Sequence, residues 1–376
     1  MKTIAIDARK IGDFGIGTYV RGLIGALARL DAAHRYLLLA GPEGPETLRN
    51  LPGNFRWVDE RSPGYSLREL VTLPRALRRA GADLFHAPHY VLPLGLPCPA
   101  IVTVHDLIHL RFPGQRTRLE LAYARWMIGR ATRIAARVLA VSEATATELV
   151  DRFDVERDRV EVIANGVDEE FRREVSEVEL AAALAELDLA PGYLLFVGNP
   201  KPHKNLERLL EAYSRLRAAR AVTPALVLAG DRDGDRSPVS GWIAAAGLEG
   251  SVVRVGHLPA ARLPALYRGA ALLVQPSLWE GFGLPVAEAM AAGVPVVAAD
   301  RGALPEVAGD AARLVDPDDP AAIAAAIGAL LDDPVAAAEL GRRGRARSAA
   351  FRWQETARRT LAVYRRVLGE GPGSAA

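Results

Sequence analysis

The chain has 376 residues, half of them hydrophobic, with 47 basic against 45 acidic side chains. This is the profile of a globular protein with substantial cores, and it excludes a disordered or fibrous chain. So even a charge balance excludes nucleic-acid binding by overall electrostatics, and the single cysteine, Cys98, excludes an intrachain disulfide or a cysteine-based zinc site.

In chain order, apolar runs predict strands at Thr3–Asp7, Tyr36–Leu39, Leu84–His86, Ala100–His105, Val138–Ser142 and Val160–Ala164. A second series follows at Leu194–Gly198, Ala225–Ala229, Val252–Val255, Leu272–Gln275, Val294–Ala298 and Arg313–Val315. Amphipathic helical stretches such as Leu206–Arg217 and Val286–Ala292 lie between them. Strands apolar throughout and separated by helices imply parallel sheets covered on both faces. Two such series predict an α/β protein of two doubly wound, Rossmann-like domains, at about 150 residues per domain. A (β/α)8 barrel would need evenly spaced units, and the polar, acidic interruption at Asn165–Pro191 argues against it. The expected domains are 1–185 and 186–350, then a C-terminal helix over 351–368 crossing back to the first domain and a disordered tail over 369–376. A strand-like start at Thr3 and the lack of any run of about 18 apolar residues predict a soluble, cytoplasmic chain.

In such folds ligands bind at the carboxyl ends of strands, so the loops there are where chemistry is expected. The first is Asp13-Phe-Gly15-Ile-Gly17-Thr18-Tyr19. Its glycines let backbone approach a ligand, but Val20 stands where a dinucleotide motif needs its third glycine. Next, Thr103-Val-His105-Asp106 puts a histidine at a strand end, structural or functional with equal weight. The third loop, Gly198-Asn199-Pro-Lys201-Pro-His-Lys204-Asn205, holds two of the chain's four lysines, compact charges suited to a phosphoryl group. Gly256 follows the predicted strand Val252–Val255, and further on the chain reaches Gln275-Pro-Ser277-Leu-Trp-Glu280-Gly281-Phe282-Gly283-Leu284-Pro285-Val-Ala-Glu288. Here a glycine loop runs into a helix with proline in its first turn, so backbone N–H groups meet a positive helix end, a phosphate-binding arrangement. Carboxylates beside a phosphate site suit sugar hydroxyls, which donate hydrogen bonds; alone, Glu280 reads equally as a cap and Glu288 as a solvated helix residue. Asp231-Arg-Asp233-Gly-Asp235 lacks the glycine and final glutamate of a calcium loop and reads as a turn. The His86/His89 and His105/His109 pairs lack a zinc-enzyme context, so no metal is expected.

Taken together, Glu280 and Glu288 in EGFGLPVAEAM, the KPHKNL loop and GIGTY resemble the retaining, metal-independent family 4 glycosyltransferases of GT-B fold. Phe85–Pro93, Val141-Ser142 and Asn165–Asp168 also fit, and the resemblance spans residues 1 to 368. It implies a sugar nucleotide as co-substrate and no cofactor. Glu288 is implied to bind ribose hydroxyls, and Glu280 the transferred sugar beside the N–H groups of Phe282, Gly283 and Leu284. Lys204 is implied to neutralise the diphosphate, with Asn199, Lys201, Gly256, Ser277 and Gly281 lining the donor. His105 is implied to contact the sugar, and Gly15 and Gly17 to make room near the diphosphate. One departure is Asn199, where many relatives carry arginine; Lys201 stands nearby as a substitute.

HAPHYVLP and VHDLIHLRFP look most like bacterial mannosyltransferases of polysaccharide assembly, which implies GDP-mannose as donor and a glycan or lipid-linked glycan as acceptor. UDP-glucose, UDP-GlcNAc and deoxysugar donors stay open, as does a sugar-nucleotide 2-epimerase or hydrolase on the same fold. Two arginine-rich segments, Arg116–Arg137 and Arg342–Arg366, read either as solvated helix faces or as peripheral contacts at the inner face of a membrane.

Overall fold

The computed structural model describes residues 1–41, 48–60, 62, 68–114 and 117–370. The chain forms two compact units: Met1–Gly166 together with the segment from Arg352 onward, and Val167–Phe351. The first is built on parallel strands β1 (Thr3–Asp7), β2 (Arg35–Ala40), β3 (Phe55–Asp59), β4 (Leu84–Ala87), β5 (Ala100–Val104), β6 (Arg137–Ala140) and β7 (Val160–Val162), in the order β3-β2-β1-β4-β5-β6-β7. Alternate residues enter two cores. Ile4, Ile6, Tyr36 and Leu38 pack with Leu23, Leu27 and Leu361, while Ala5, Leu37 and Leu39 pack with Leu73, Leu77 and Ile128. Both faces are buried, which is why these strands are apolar throughout.

The second unit holds β8 (Tyr193–Val197), β9 (Leu226–Ala229), β10 (Val252–Gly256), β11 (Ala270–Gln275), β12 (Val296–Ala299) and β13 (Arg313–Val315), in the order β10-β9-β8-β11-β12-β13. Leu194, Phe196, Leu228, Leu272 and Val274 pack with Leu209, Tyr213, Ile323 and Ile327. Each predicted strand is present to within about two residues at either end. Strand β3 was not predicted. Among the described residues it pairs only with β2, at the sheet edge, and its exposed Arg56 and Asp59 hide the apolar signal.

The crossing between units corrects the expected boundary. It falls at Gly166/Val167 instead of 185/186, and the return at Phe351/Arg352. Residues 167–185 are acidic like a linker but pack as part of the second unit. Buried Phe171 stands edge-on to Tyr267 at 5.4 Å between ring centroids, and Arg172 donates to the carbonyls of Ser348 and Phe351 at 2.8 and 2.9 Å. The helix Trp353–Val367 belongs to the first unit, where Trp353 fills the space that side chains at Gly22 and Gly166 would need. Its Tyr364 hydroxyl lies 2.6 Å from His86 Nδ1. The expected tail lies, from residue 371 on, outside the described residues.

Candidate functional site

Strands β8 and β11 are neighbours at the point where the strand order of the second sheet reverses. The loops leaving their carboxyl ends therefore diverge over a crevice, the place where doubly wound sheets bind ligands. Residues 198–205 form one loop and 276–283 the other. Asn205, in the left-handed region at φ 61°, joins them by donating to the carbonyls of Pro276 at 3.0 Å and Pro317 at 2.7 Å. The Leu278 N–H adds a bond to the His203 carbonyl at 2.7 Å.

That pinning brings Lys204 against Glu280. The ammonium donates to Oε1 at 2.7 Å, the Ser277 hydroxyl to the same oxygen at 2.7 Å, and the Gln275 amide at 3.4 Å, leaving Oε2 outside the cluster. Glu280 is 7% exposed. Burial pushes its carboxyl up, but Lys204 and Ser277 outweigh burial and hold it below its ordinary value, so it is a carboxylate. Its main chain lies on Gly302: a Cβ there would come within 2.8 Å of the Glu280 carbonyl oxygen, and φ is +60°. Burial and the Lys204 charge also lower His203, to about 4, so its imidazole is neutral.

The helix Leu284–Ala292 begins immediately after this cluster. Gly283 caps it at φ 96°, where a side chain would strike Leu304. The N–H groups of Val286 and Ala287 bond to the Gly283 carbonyl at 3.0 and 3.2 Å, which leaves those of Phe282, Gly283 and Leu284 ahead of the first intrahelical bond. The Phe282 ring is spent on packing, edge-on to Phe351 at 5.5 Å. Within the helix, Glu288 Oε2 accepts the buried Tyr267 hydroxyl at 2.7 Å. Burial raises Glu288 to about 7, the Asp168 charge adds to this, and the Tyr267 bond and Lys204 oppose it.

Of the predicted residues, Lys204, Ser277, Glu280, Phe282, Gly283, Leu284 and Glu288 thus lie on two adjacent loops and the helix that follows. Gly198 lies against the Lys204 stem, where a Cβ would sit 3.4 Å from Cδ. Asn199 accepts the Lys201 N–H through its carbonyl at 2.7 Å, closing a turn that leaves Lys201 exposed. Gly256, at φ 65°, accepts the Gly230 N–H at 2.7 Å and so ties the ends of β9 and β10. Sequence reasoning missed Gln275, Tyr267 and Asn205 as the residues that hold this cluster. Asn205 and Gln275 sit at ends of predicted elements and could have been found; Tyr267 carries no such signal.

In the first unit, His105 follows β5. Its Nε2–H donates to the Pro88 carbonyl at 3.1 Å, and its ring stands edge-on to Tyr19 at 4.8 Å. Burial lowers it to about 4, so the ring is neutral with its lone pair on Nδ1. Gly15 is the exposed first residue of the helix Gly15–Leu30, whereas Gly17 is buried, with a Cβ position 2.5 Å from the Ile11 carbonyl oxygen. Gly17 therefore has a packing reason of its own. An unpredicted buried cluster stands nearby in the chain: Arg9 pairs with Asp7 at 2.7 Å and Glu69 at 2.9 Å, and His89 Nε2 lies 2.9 Å from Asp7. Asp231 accepts the Asp233 N–H and Arg254, each at 3.0 Å, within a turn. Among the described residues no group of three or more His, Cys, Asp or Glu side chains is placed to hold a metal ion.

The family described as Glycosyltransferase Family 4 matches residues 15–171, and that described as Glycosyl transferases group 1 matches residues 185–347. The chain is 32% identical over 291 residues to O-antigen chain mannosyltransferase B of Escherichia coli, covering 77% of this chain and 76% of that one. It is 35% identical to the MMP alpha-(1->4)-mannosyltransferase of Mycolicibacterium hassiacum, covering 72% of this chain and 66% of that one. The fold is GT-B: it superposes on sucrose-phosphate synthase from Thermosynechococcus elongatus with a TM-score of 0.80 at 24% identity, covering 98% of this chain and 100% of that one.

Proposed function

The chain belongs to the group 1 glycosyltransferases, and on that premise we propose that it transfers mannose from GDP-mannose to a hydroxyl of a glycan or lipid-linked glycan with retention at the anomeric carbon. The observation that carries the reading is the Lys204–Glu280–Ser277 cluster lying directly ahead of a helix whose first N–H groups are unspent, with Glu288 one turn into that helix. Departure of a nucleoside diphosphate needs positive charge where negative charge develops, and Lys204 with the helix N-terminus supplies it. Glu280 Oε2 accepts sugar hydroxyls, and Glu288 accepts those of the ribose. No covalent nucleophile is needed when the acceptor attacks from the leaving-group face. For the first unit by itself, we assign ligand contact to His105 and space for close ligand approach to Gly15 and Gly17. Mannose is favoured by the names of the two relatives and by the HAPHYVLP stretch.

The test is a thermal-shift panel of GDP, UDP, ADP and their sugar derivatives, followed by turnover of the donor that binds. A ligand at 100 times its Kd adds about 2.7 kcal/mol to the folded state, which such a scan resolves. GDP and GDP-mannose stabilising the wild type, but neither Glu288→Ala nor Lys204→Ala, is the expected result. Stabilisation by uridine nucleotides alone replaces the donor assignment. Conversion of donor without acceptor makes the enzyme an epimerase or hydrolase, and no shift with any nucleotide overturns the site.

A further inference from the structure

The helix Trp353–Val367 enters the first unit with a polar stripe. Thr356, Thr360 and Tyr364 follow one another at intervals of four, so they share one side of the helix. All three are buried. The arginines of this segment are engaged elsewhere: Arg358 pairs with Glu355 at 2.6 Å and Arg366 with Glu161 at 3.1 Å. Arg116, where the other arginine-rich segment begins, lies outside the described residues. Leucines along the buried side would seat the helix with no polar group to satisfy, whereas buried hydroxyls cost free energy unless each finds a partner. Here the partners form one continuous chain.

The Tyr364 hydroxyl lies 2.6 Å from His86 Nδ1, and His86 Nε2 lies 2.8 Å from Thr103 Oγ1. Thr103 Oγ1 lies 3.1 Å from the Tyr19 hydroxyl, which is also hydrogen-bonded to the Thr360 side chain. Thr360 in turn donates to the Thr356 carbonyl at 2.7 Å. That carbonyl fixes the direction of every bond, because it can only accept and each hydroxyl has one hydrogen. Thr360 commits its hydrogen there, so Tyr19 donates to Thr360, Thr103 to Tyr19, and the His86 Nε2–H to Thr103. His86 Nδ1 is left with the lone pair, which accepts the Tyr364 hydroxyl. Burial lowers His86 to about 3, in keeping with a ring that carries a single N–H. A chain that ends on a carbonyl orients its members and passes no proton along.

Through Tyr19 the chain reaches His105. The Tyr19 and His105 rings meet edge-on at 4.8 Å, with 77° between their planes, and Trp353 of the C-terminal helix stands edge-on to Tyr19 at 6.2 Å. The bond from His105 Nε2–H to the Pro88 carbonyl fixes one atom of the imidazole; the contact with Tyr19 fixes its plane. Tyr19 is itself held at its hydroxyl by Thr103 and Thr360. We propose that Tyr364 is a positioning residue for His105: through His86, Thr103 and Tyr19 it holds the imidazole in one orientation and leaves Nδ1 for a ligand. The proposal rests on the ligand contact assigned above to His105. Every residue in it belongs to the first unit.

Two measurements on the full chain test it. Nitrogen–proton spectra of the histidine rings, in protein labelled at histidine, read the tautomers directly. His86 should carry its proton on Nε2, and Tyr364→Phe should move the His105 ring signals through the ring current of a displaced Tyr19. Thr103→Val, which keeps the side-chain shape and breaks the chain, should move them too, whereas Thr103→Ser should leave them as in the wild type. Donor turnover then supplies a double-mutant cycle. Tyr364→Phe should slow it about fivefold, the scale of one lost hydrogen bond, and His105→Ala/Tyr364→Phe should be no slower than His105→Ala alone. Losses that multiply independently overturn the proposal, as do a His86 proton found on Nδ1 and His105 signals unmoved by Tyr364→Phe and Thr103→Val. Wild-type turnover in His105→Ala removes instead the ligand contact assigned to His105, and the spectra then decide the positioning by themselves.

Discussion

Replacing Glu288 by glutamine separates what the carboxylate costs from what it does. Burial and Asp168 carry its pKa from 4.5 to about 7. The folded chain therefore favours the neutral acid, and the ionised form weakens folding. This cost is negligible well below pH 4.5, grows as pH rises between the two values, and levels off above about 7. At full size that difference is about 3 kcal/mol. Glu288 is only partly buried by surface area, so about 1–3 kcal/mol is the usable range. Glutamine keeps the shape, and an oxygen for the Tyr267 hydroxyl, but cannot ionise. Glu288→Gln should thus be the more stable protein at pH 8 by about 1–3 kcal/mol, a rise of several degrees in Tm. Its advantage should shrink toward zero near pH 4. In the same variant the stabilisation conferred by donor nucleotide should vanish, because the amide replaces one of the acceptors offered to the ribose. Melting curves from pH 5 to 8, with and without nucleotide, read both effects. A glutamine variant that is less stable at pH 8, or whose advantage does not change with pH, refutes the argument from burial. Full nucleotide stabilisation in the variant refutes the ribose role.

Lys204→Met should leave Glu280 buried without its cation and destabilise the second unit by roughly 1–3 kcal/mol, an effect that urea midpoints should show falling as pH drops and Glu280 protonates. Tyr267→Phe should raise the Glu288 pKa further and weaken donor nucleotide binding by about fivefold, more at pH 6.5 than at pH 8; equal losses at both values would assign Tyr267 to packing alone. Gly302→Ala meets both a positive φ and the Glu280 carbonyl at 2.8 Å, so it should cost about 1–3 kcal/mol and slow turnover; wild-type kinetics would show that the Glu280 loop tolerates the shift.

The strands were legible because a parallel sheet buried on both faces leaves little room for polar residues, and Ile4, Ala5 and Ile6 each enter a core. Strand β3 escaped because an edge strand is solvated along one side, so Arg56 and Asp59 interrupt its pattern. The boundary was misread for a related reason. Residues 167–185 carry charge at the surface, while their attachment includes the buried Phe171 ring and Arg172 reaching carbonyls 176 and 179 residues away. Neither contact has a local signature. Gly17 shows the opposite ambiguity, since packing against Ile11 alone requires a glycine there, whatever ligand role is proposed for it.

Glu280 and Glu288 are alike as residue types and belong to one short segment, yet the fold drives their acidities in opposite directions. Glu280 lies on the loop before the helix, where an ammonium and a hydroxyl converge on one oxygen, so burial is outweighed and the group stays ionised. Glu288 lies within the helix, where a single phenol donates to it and Asp168 opposes its charge, so burial prevails. What separates them is Lys204 and Tyr267, 76 and 21 residues away in the chain from the glutamates they bind. The spacing of the two carboxylates is therefore readable from sequence and their protonation is not. A Glu288 poised near neutrality loses its proton most readily when hydroxyl donors arrive to satisfy the charge, so ribose binding should itself release a proton from enzyme at pH 6.5. Titration calorimetry with nucleotide in buffers of different ionisation enthalpy measures that release; uptake of a proton, or none, would mean that Glu288 meets the ribose as the neutral acid.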